Sequence, residues 1–91
     1  MLQCTQQGDA LTVRLCGEID HCAAESLRNE IEMQIVRRNA KRLILDFSQV
    51  TFMDSSGIAL ILRAQQRMSL LDGSLLVRNV PQQARRVLDA A

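Results

Sequence analysis

Ninety-one residues make one small domain, and a hydrophobic share of 47% is enough to fill a single core. A net charge of +1 and only two aromatic residues, Phe47 and Phe52, argue against a basic nucleic-acid surface or a base-stacking platform. No apolar run approaches the ~20 residues of a membrane span, and Met1-Leu2-Gln3-Cys4-Thr5 lacks the features of a signal peptide, so a cytoplasmic location is expected.

Leu2–Gln6 and Ala10–Cys16 are predicted strands joined by a turn at Gly8-Asp9. In the second, Leu11, Val13 and Leu15 alternate with Thr12, Arg14 and Cys16, the period of an antiparallel hairpin strand. Asp20 is placed to cap a helix over Ala23–Arg38. Ala24, Leu27, Ile31 and Ile35 recur at spacings of three and four and form its apolar stripe. Arg37 and Arg38 fall in its last turn, where positive charge suits the helix dipole. Leu43–Phe47 reads as a short strand, followed by a loop and a helix over Ser56–Leu71. Ile58, Ile61, Leu62, Met68 and Leu71 share one face of that helix, while Ala59 and Leu60 suggest a deeply packed start. Gly73 fits the left-handed position that ends a helix. Ser74–Arg78 reads as a strand, and Pro81 opens a last helix over Gln82–Ala90. The order ββαβαβα implies an α/β domain with a mixed, mostly parallel four-stranded sheet and helices packed on it.

The chemistry concentrates in Phe52-Met53-Asp54-Ser55-Ser56-Gly57, between a strand and a helix start. A helix N-terminus carries unpaired N–H groups and partial positive charge, so it tolerates a phosphate on a nearby hydroxyl. The plainer role of such a serine is a helix cap. Asp20 and Asp54 both follow strands expected to run parallel, which puts them at the carboxyl edge of the sheet, where they flank Ser55. A phosphate there adds about −1.5 to −2 charge beside two carboxylates. Each close pair costs on the order of 1 kcal/mol. The patch would change from hydroxyls to strong acid and reject a partner.

Other chemistries find less support. His21 is the sole histidine, and no Gly-x-Ser-x-Gly elbow or Gly-rich oxyanion loop accompanies Ser55, so hydrolysis is not expected. Cys4, Cys16, His21 and Cys22 lack metal-ligand spacings. Three cysteines, an odd number, read as free thiols, with Cys4 and Cys16 as small apolar residues in or beside the hairpin. No Gly-x-x-x-x-Gly-Lys-[Ser/Thr] loop is present. Arg37, Arg38, Lys41 and Arg42, and more loosely Arg78, Arg85 and Arg86, read as solvated helix ends. No metal, no cofactor and no catalytic activity are expected.

The run Phe47-Ser48-Gln49-Val50-Thr51-Phe52-Met53-Asp54-Ser55-Ser56-Gly57 resembles the signature of anti-sigma-factor antagonists of the STAS domain family. A second match, Gly17-Glu18-Ile19-Asp20-His21-Cys22-Ala23-Ala24-Glu25, lies upstream in the family order and at about the family spacing. The resemblance runs from about Leu2 to Ala91 and makes residues 1–91 one STAS domain. It departs at the end, where the family continues through a Gly-Leu and a last strand or helix. It implies phosphorylation of the serine directly after the aspartate, Ser55, with Ser56 helping to cap the helix and Gly57 leaving room for a partner backbone. It also implies partner contact at Asp20, His21, Met53, Asp54, Ser56, Gly57 and Ile58. The implied partner is an anti-sigma factor that is also an ATP-dependent serine kinase, with a phosphatase to reset the switch. ATP would belong to the kinase, and no nucleic acid or membrane is contacted directly. Binding the anti-sigma factor would free a sigma factor, with sporulation the process suggested first and general stress second. The alternative is a STAS subunit of a stressosome or a lipid-transport ATPase, a non-enzymatic interaction module.

Overall fold

The computed structural model describes residues 2–85. Strands β1 (Leu2–Gln7) and β2 (Ala10–Ile19) form the expected antiparallel hairpin, with Leu2 opposite Leu15 and Gln7 opposite Ala10. Gly8 makes the turn possible at φ +59°, a conformation that costs glycine little. Helix α1 (His21–Arg38) leads to β3 (Arg42–Met53), helix α2 (Ser55–Leu70) and β4 (Ser74–Arg78). The sheet runs β1-β2-β3-β4, with β2, β3 and β4 parallel to one another. A last helical turn occupies residues 82–85, which completes the predicted order ββαβαβα. The rest of the helix expected to Ala90, with Arg86, lies outside the described residues.

The two helices touch one another and cover one sheet face. Leu11, Val13 and Leu15 of β2 and Leu43, Leu45 and Phe47 of β3 are buried there. Ala24, Leu27, Ile31 and Ile35 close over them from α1, as their spacing requires. From α2 the buried set is Gly57, Ile58, Leu60, Ile61, Ala64 and Met68. Leu62 and Leu71 do not join it. Leu62 is 52% exposed because it lies one residue, ~100° of helix, beyond the buried Ile61. Leu71 lies past the last turn, at the C-cap.

Three further expectations change. β3 is longer than Leu43–Phe47 and takes in most of the motif loop, because β2 also continues to Ile19 and pairs with it. The register slips between Arg14 and Cys16, opposite Asp46 and Gln49, and again between Gly17 and Glu18, opposite Val50 and Phe52. Each slip puts one extra residue into β3, a bulge that breaks the period of two on which strand recognition rests. At the other end of α2, Asp72, not Gly73, takes the left-handed conformation, at φ +55°. Gly73 is needed for space: a Cβ there would lie 2.5 Å from the Lys41 carbonyl oxygen and 2.7 Å from Met68 Cε. Finally, α1 begins at His21 rather than Ala23, directly after its Asp20 cap.

On the sheet face away from α1 and α2 one carboxylate is buried among the described residues. Asp46, 3% exposed, lies in register between Arg14 and Arg78, at 3.7 and 3.8 Å. Those contacts are long and the arginines are half exposed, so the ion pairs contribute little. The short contacts matter more. Asp46 Oδ1 accepts from Asn79 Nδ2 at 3.0 Å and from the Ser48 amide at 2.9 Å. One oxygen thus holds the first β3 bulge and the exit of β4. The Asn79 bond, then the Ser48 amide, hold the Asp46 carboxyl below its usual range, against the opposing effect of burial.

Two stability outcomes are expected. Leu27→Ala should cost roughly 2–5 kcal/mol through lost burial and the cavity left behind. Arg85→Ala, at an exposed position, should cost under ~0.5 kcal/mol. Chemical denaturation separates them, and equal losses would make Arg85 part of the structural core. For Asp46, folding favours the ionised form. Its contribution is therefore complete above the unfolded carboxyl pKa of about 3.9 and is lost as pH falls through the lower folded value. Asp46→Asn should be about 1–3 kcal/mol less stable at neutral pH. That gap should narrow as pH drops from about 4 towards about 2. Denaturation midpoints of both proteins across that range test the sign, and a gap independent of pH would contradict it.

Candidate functional site

The site is set by the last register pair of the parallel ladder, Ile19 beside Met53. The next residue in each strand is an aspartate, so Asp20 and Asp54 stand at neighbouring strand ends. The Asp54 amide donates to the Ile19 carbonyl at 3.3 Å, which ties the two junctions together. Each aspartate then caps the helix that follows it. Asp20 Oδ1 accepts from the Ala23 amide at 2.9 Å, and Asp54 Oδ1 from the Ser56 amide at 2.8 Å. Their backbones are nearly the same, φ −94°, ψ −173° and φ −97°, ψ −165°. Two helix N-termini therefore open side by side at the carboxyl edge of the sheet, each with an ionisable cap.

This arrangement reassigns the serines. The capping oxygen comes from Asp54, and Ser55 is the first helical residue, with its side chain exposed. It is the Ser56 amide, not its hydroxyl, that enters the cap. Met53, Gly57 and Ile58 are buried and present no side chain to a partner. Gly57 does not hold the surface open, as its position had suggested. A Cβ there would meet Met53 Cε at 2.9 Å and Met53 Cβ at 3.0 Å, so it is a glycine for internal packing.

Beside the serines, α1 and α2 part to leave a cleft of about 360 Å³. His21, Glu25 and Arg28 line it from α1, and Ser56 and Arg63 from α2. Ala24, Ala59 and Leu60 make its apolar part. Arg28 and Arg63 carry no sequence motif. Their only signal is position, since each flanks a buried residue of its helix, Arg28 after Leu27 and Arg63 before Ala64, on the side where the two helices meet. Asp46 had a clearer signal, an acid inside the apolar run Leu43-Ile44-Leu45-Asp46-Phe47.

The remaining candidates are quiet. Cys4 and Cys16 are half buried in the hairpin and Cys22 is exposed, all three free. Burial pushes the Cys4 thiol up, against the lowering effect of Arg38. Among the described residues no three His, Cys, Asp or Glu side chains cluster as metal ligands, and no helix is long and apolar enough to cross a membrane. Of the basic cluster, Arg38 Nε donates to Gln34 within α1 at 2.8 Å, and Arg42 pairs with Asp9 of the hairpin turn at 3.2 Å. The last helical turn reaches the site through Gln83, whose Nε2 donates to the Met53 carbonyl at 3.1 Å. Ala84 beside it is buried, so this turn is packed into the domain.

Comparison with known proteins places these features in a family. The STAS domain model matches residues 1–91. An anti-sigma F factor antagonist of Paenibacillus polymyxa is 34% identical over 79 residues, which cover 87% of this chain and 68% of that protein. Among solved structures, the anti-sigma factor antagonist SpoIIAA in its unphosphorylated form superposes with a TM-score of 0.79 at 28% identity, over 100% of this chain and 84% of that one. The Bacillus cell fate determinant SpoIIAA in its phosphorylated form gives 0.80, again at 28% identity, over 99% and 82%.

Proposed function

The chain belongs to the STAS domain family, and we propose that it works as an anti-sigma factor antagonist whose switch is Ser55. The observation that carries this reading is the exposed Ser55 at the first position of α2, between two aspartate-capped helix starts. Unphosphorylated, the chain binds an anti-sigma factor through the edge formed by Asp20, His21, Asp54, Ser55 and Ser56. Met53, Gly57 and Ile58 support that edge from beneath. Binding frees a sigma factor, in the sporulation setting to which its anti-sigma F relatives point. The chain performs no chemistry itself. The anti-sigma factor, acting as a serine kinase with its own ATP, phosphorylates Ser55, and a phosphatase reverses the mark. All of this takes place in the cytoplasm, where transcription is regulated.

Physical chemistry supports the choice of residue. Because Asp54 supplies the cap, the Ser55 hydroxyl is not committed to holding the helix. Negative charge in a first helical turn is favoured by the helix dipole, by about 0.3–1 kcal/mol at an exposed site. The added phosphate therefore leaves α2 intact while it changes the surface that a partner meets.

Two outcomes follow. With the cognate anti-sigma kinase and Mg-ATP, one phosphate should appear, at Ser55. Ser55→Ala should abolish labelling and Ser56→Ala should leave most of it, as read by mass spectrometry of the digested protein. A phosphate located on Ser56 would sink the assignment. Ser55→Asp should weaken binding to the anti-sigma factor at least about tenfold, or ~1.4 kcal/mol, whereas Ser55→Ala should keep it. Equal affinities of the two variants in a calorimetric titration would remove charge from the switch.

A further inference from the structure

We propose that the cleft between α1 and α2 is the specificity pocket of the partner face, and that it receives an acidic side chain of the anti-sigma factor on Arg28 and Arg63. The inference rests on the function proposed above and names the chemistry of the contact.

Three observations carry it. The cleft is continuous with the switch, because Ser56 lines it and Ser55 is the next residue. At about 360 Å³ it has room for a side chain, and its apolar part, Ala24, Ala59 and Leu60, suits the methylene stem of a glutamate. Its charge is unbalanced. Arg63 and Arg67 share one carboxylate, Glu32, at 3.7 and 3.8 Å. Arg28 makes no ion pair among the described residues. Among the described residues, Glu25 is the only carboxylate lining the cleft. The helix–helix groove thus holds three guanidinium groups against two carboxylates, while the adjacent strand ends carry Asp20 and Asp54. A partner complementary to both zones brings an acid to the groove.

The position of the pocket also bears on how a phosphate would eject the partner. Ser55 adjoins Ser56 at the near end of the cleft, while Arg63 lies eight residues on, ~12 Å along α2. A phosphate on Ser55 therefore acts first on the part of the partner that crosses the helix starts, and its repulsion reaches a carboxylate on the arginines only in screened form.

Calorimetric titration of the full chain with its purified cognate anti-sigma factor, at low and moderate salt, tests this. Arg28→Gln and Arg63→Gln should each weaken binding by about five- to tenfold and flatten its salt dependence. Glu25→Gln should tighten binding by about two- to fivefold, since it removes the one acid that competes with the partner. Arg28→Lys should recover part of the loss. Opposite signs for the arginine and glutamate variants separate recognition from damage to the fold. Wild-type affinity in both arginine variants would overturn the pocket and leave the switch standing. So would equal losses in all three glutamine variants. No binding by the wild-type chain would overturn the parent reading, and the pocket with it.

Discussion

The parallel ladder between β2 and β3 is the constraint on which the rest of this molecule depends. It ends both strands at the same level, Ile19 beside Met53, and so delivers two aspartates to one edge. Each aspartate starts a helix in the same way, which makes α1 and α2 start together and pack side by side. The exposed serine, the paired caps and the cleft between the helices all descend from that shared endpoint. A strand one residue longer on either side would displace one cap along the strand axis by ~3.3 Å and separate the two acids.

The endpoint is reached only because β3 absorbs two extra residues as bulges. Bulges bend a strand and raise its twist, and they need something to hold them. Asp46 holds the first. Its one oxygen binds the bulge amide of Ser48 and the side chain of Asn79, a residue in left-handed backbone at φ +60° that turns the chain out of β4. A few residues later Gln83 returns to the Met53 carbonyl, immediately before the cap of α2. The segment after β4 is thus tied to the site strand at both its bulged and its terminal ends.

Much of this was legible in the residues. The hairpin, the α1 stripe, the strand Ser74–Arg78 and the element order follow from periodicity and turn chemistry, which act over a few neighbours. The paired aspartates were legible too, because parallel strands share a carboxyl edge. The length of β3 was not, since bulges destroy the alternation that marks a strand and its pairing partner lies some thirty residues away. The roles of Ser55 and Gly57 were also hidden. Asp54 and Ser55 are both good caps by type, and only the backbone decides which one stands at the boundary. A glycine in a first turn fits an open surface or a crowded interior equally well, and the proximity of Met53 decides in favour of the interior.

The division of labour between Asp54 and Ser55 has a consequence for how a signal is stored. A residue that caps a helix cannot be modified without disturbing fold stability, so its message would be paid for in unfolding. Here the cap and the hydroxyl belong to different residues. Under the proposed switch, a mark on Ser55 would be written in potential at the start of α2, while the Asp54 cap that holds the helix stays as it is.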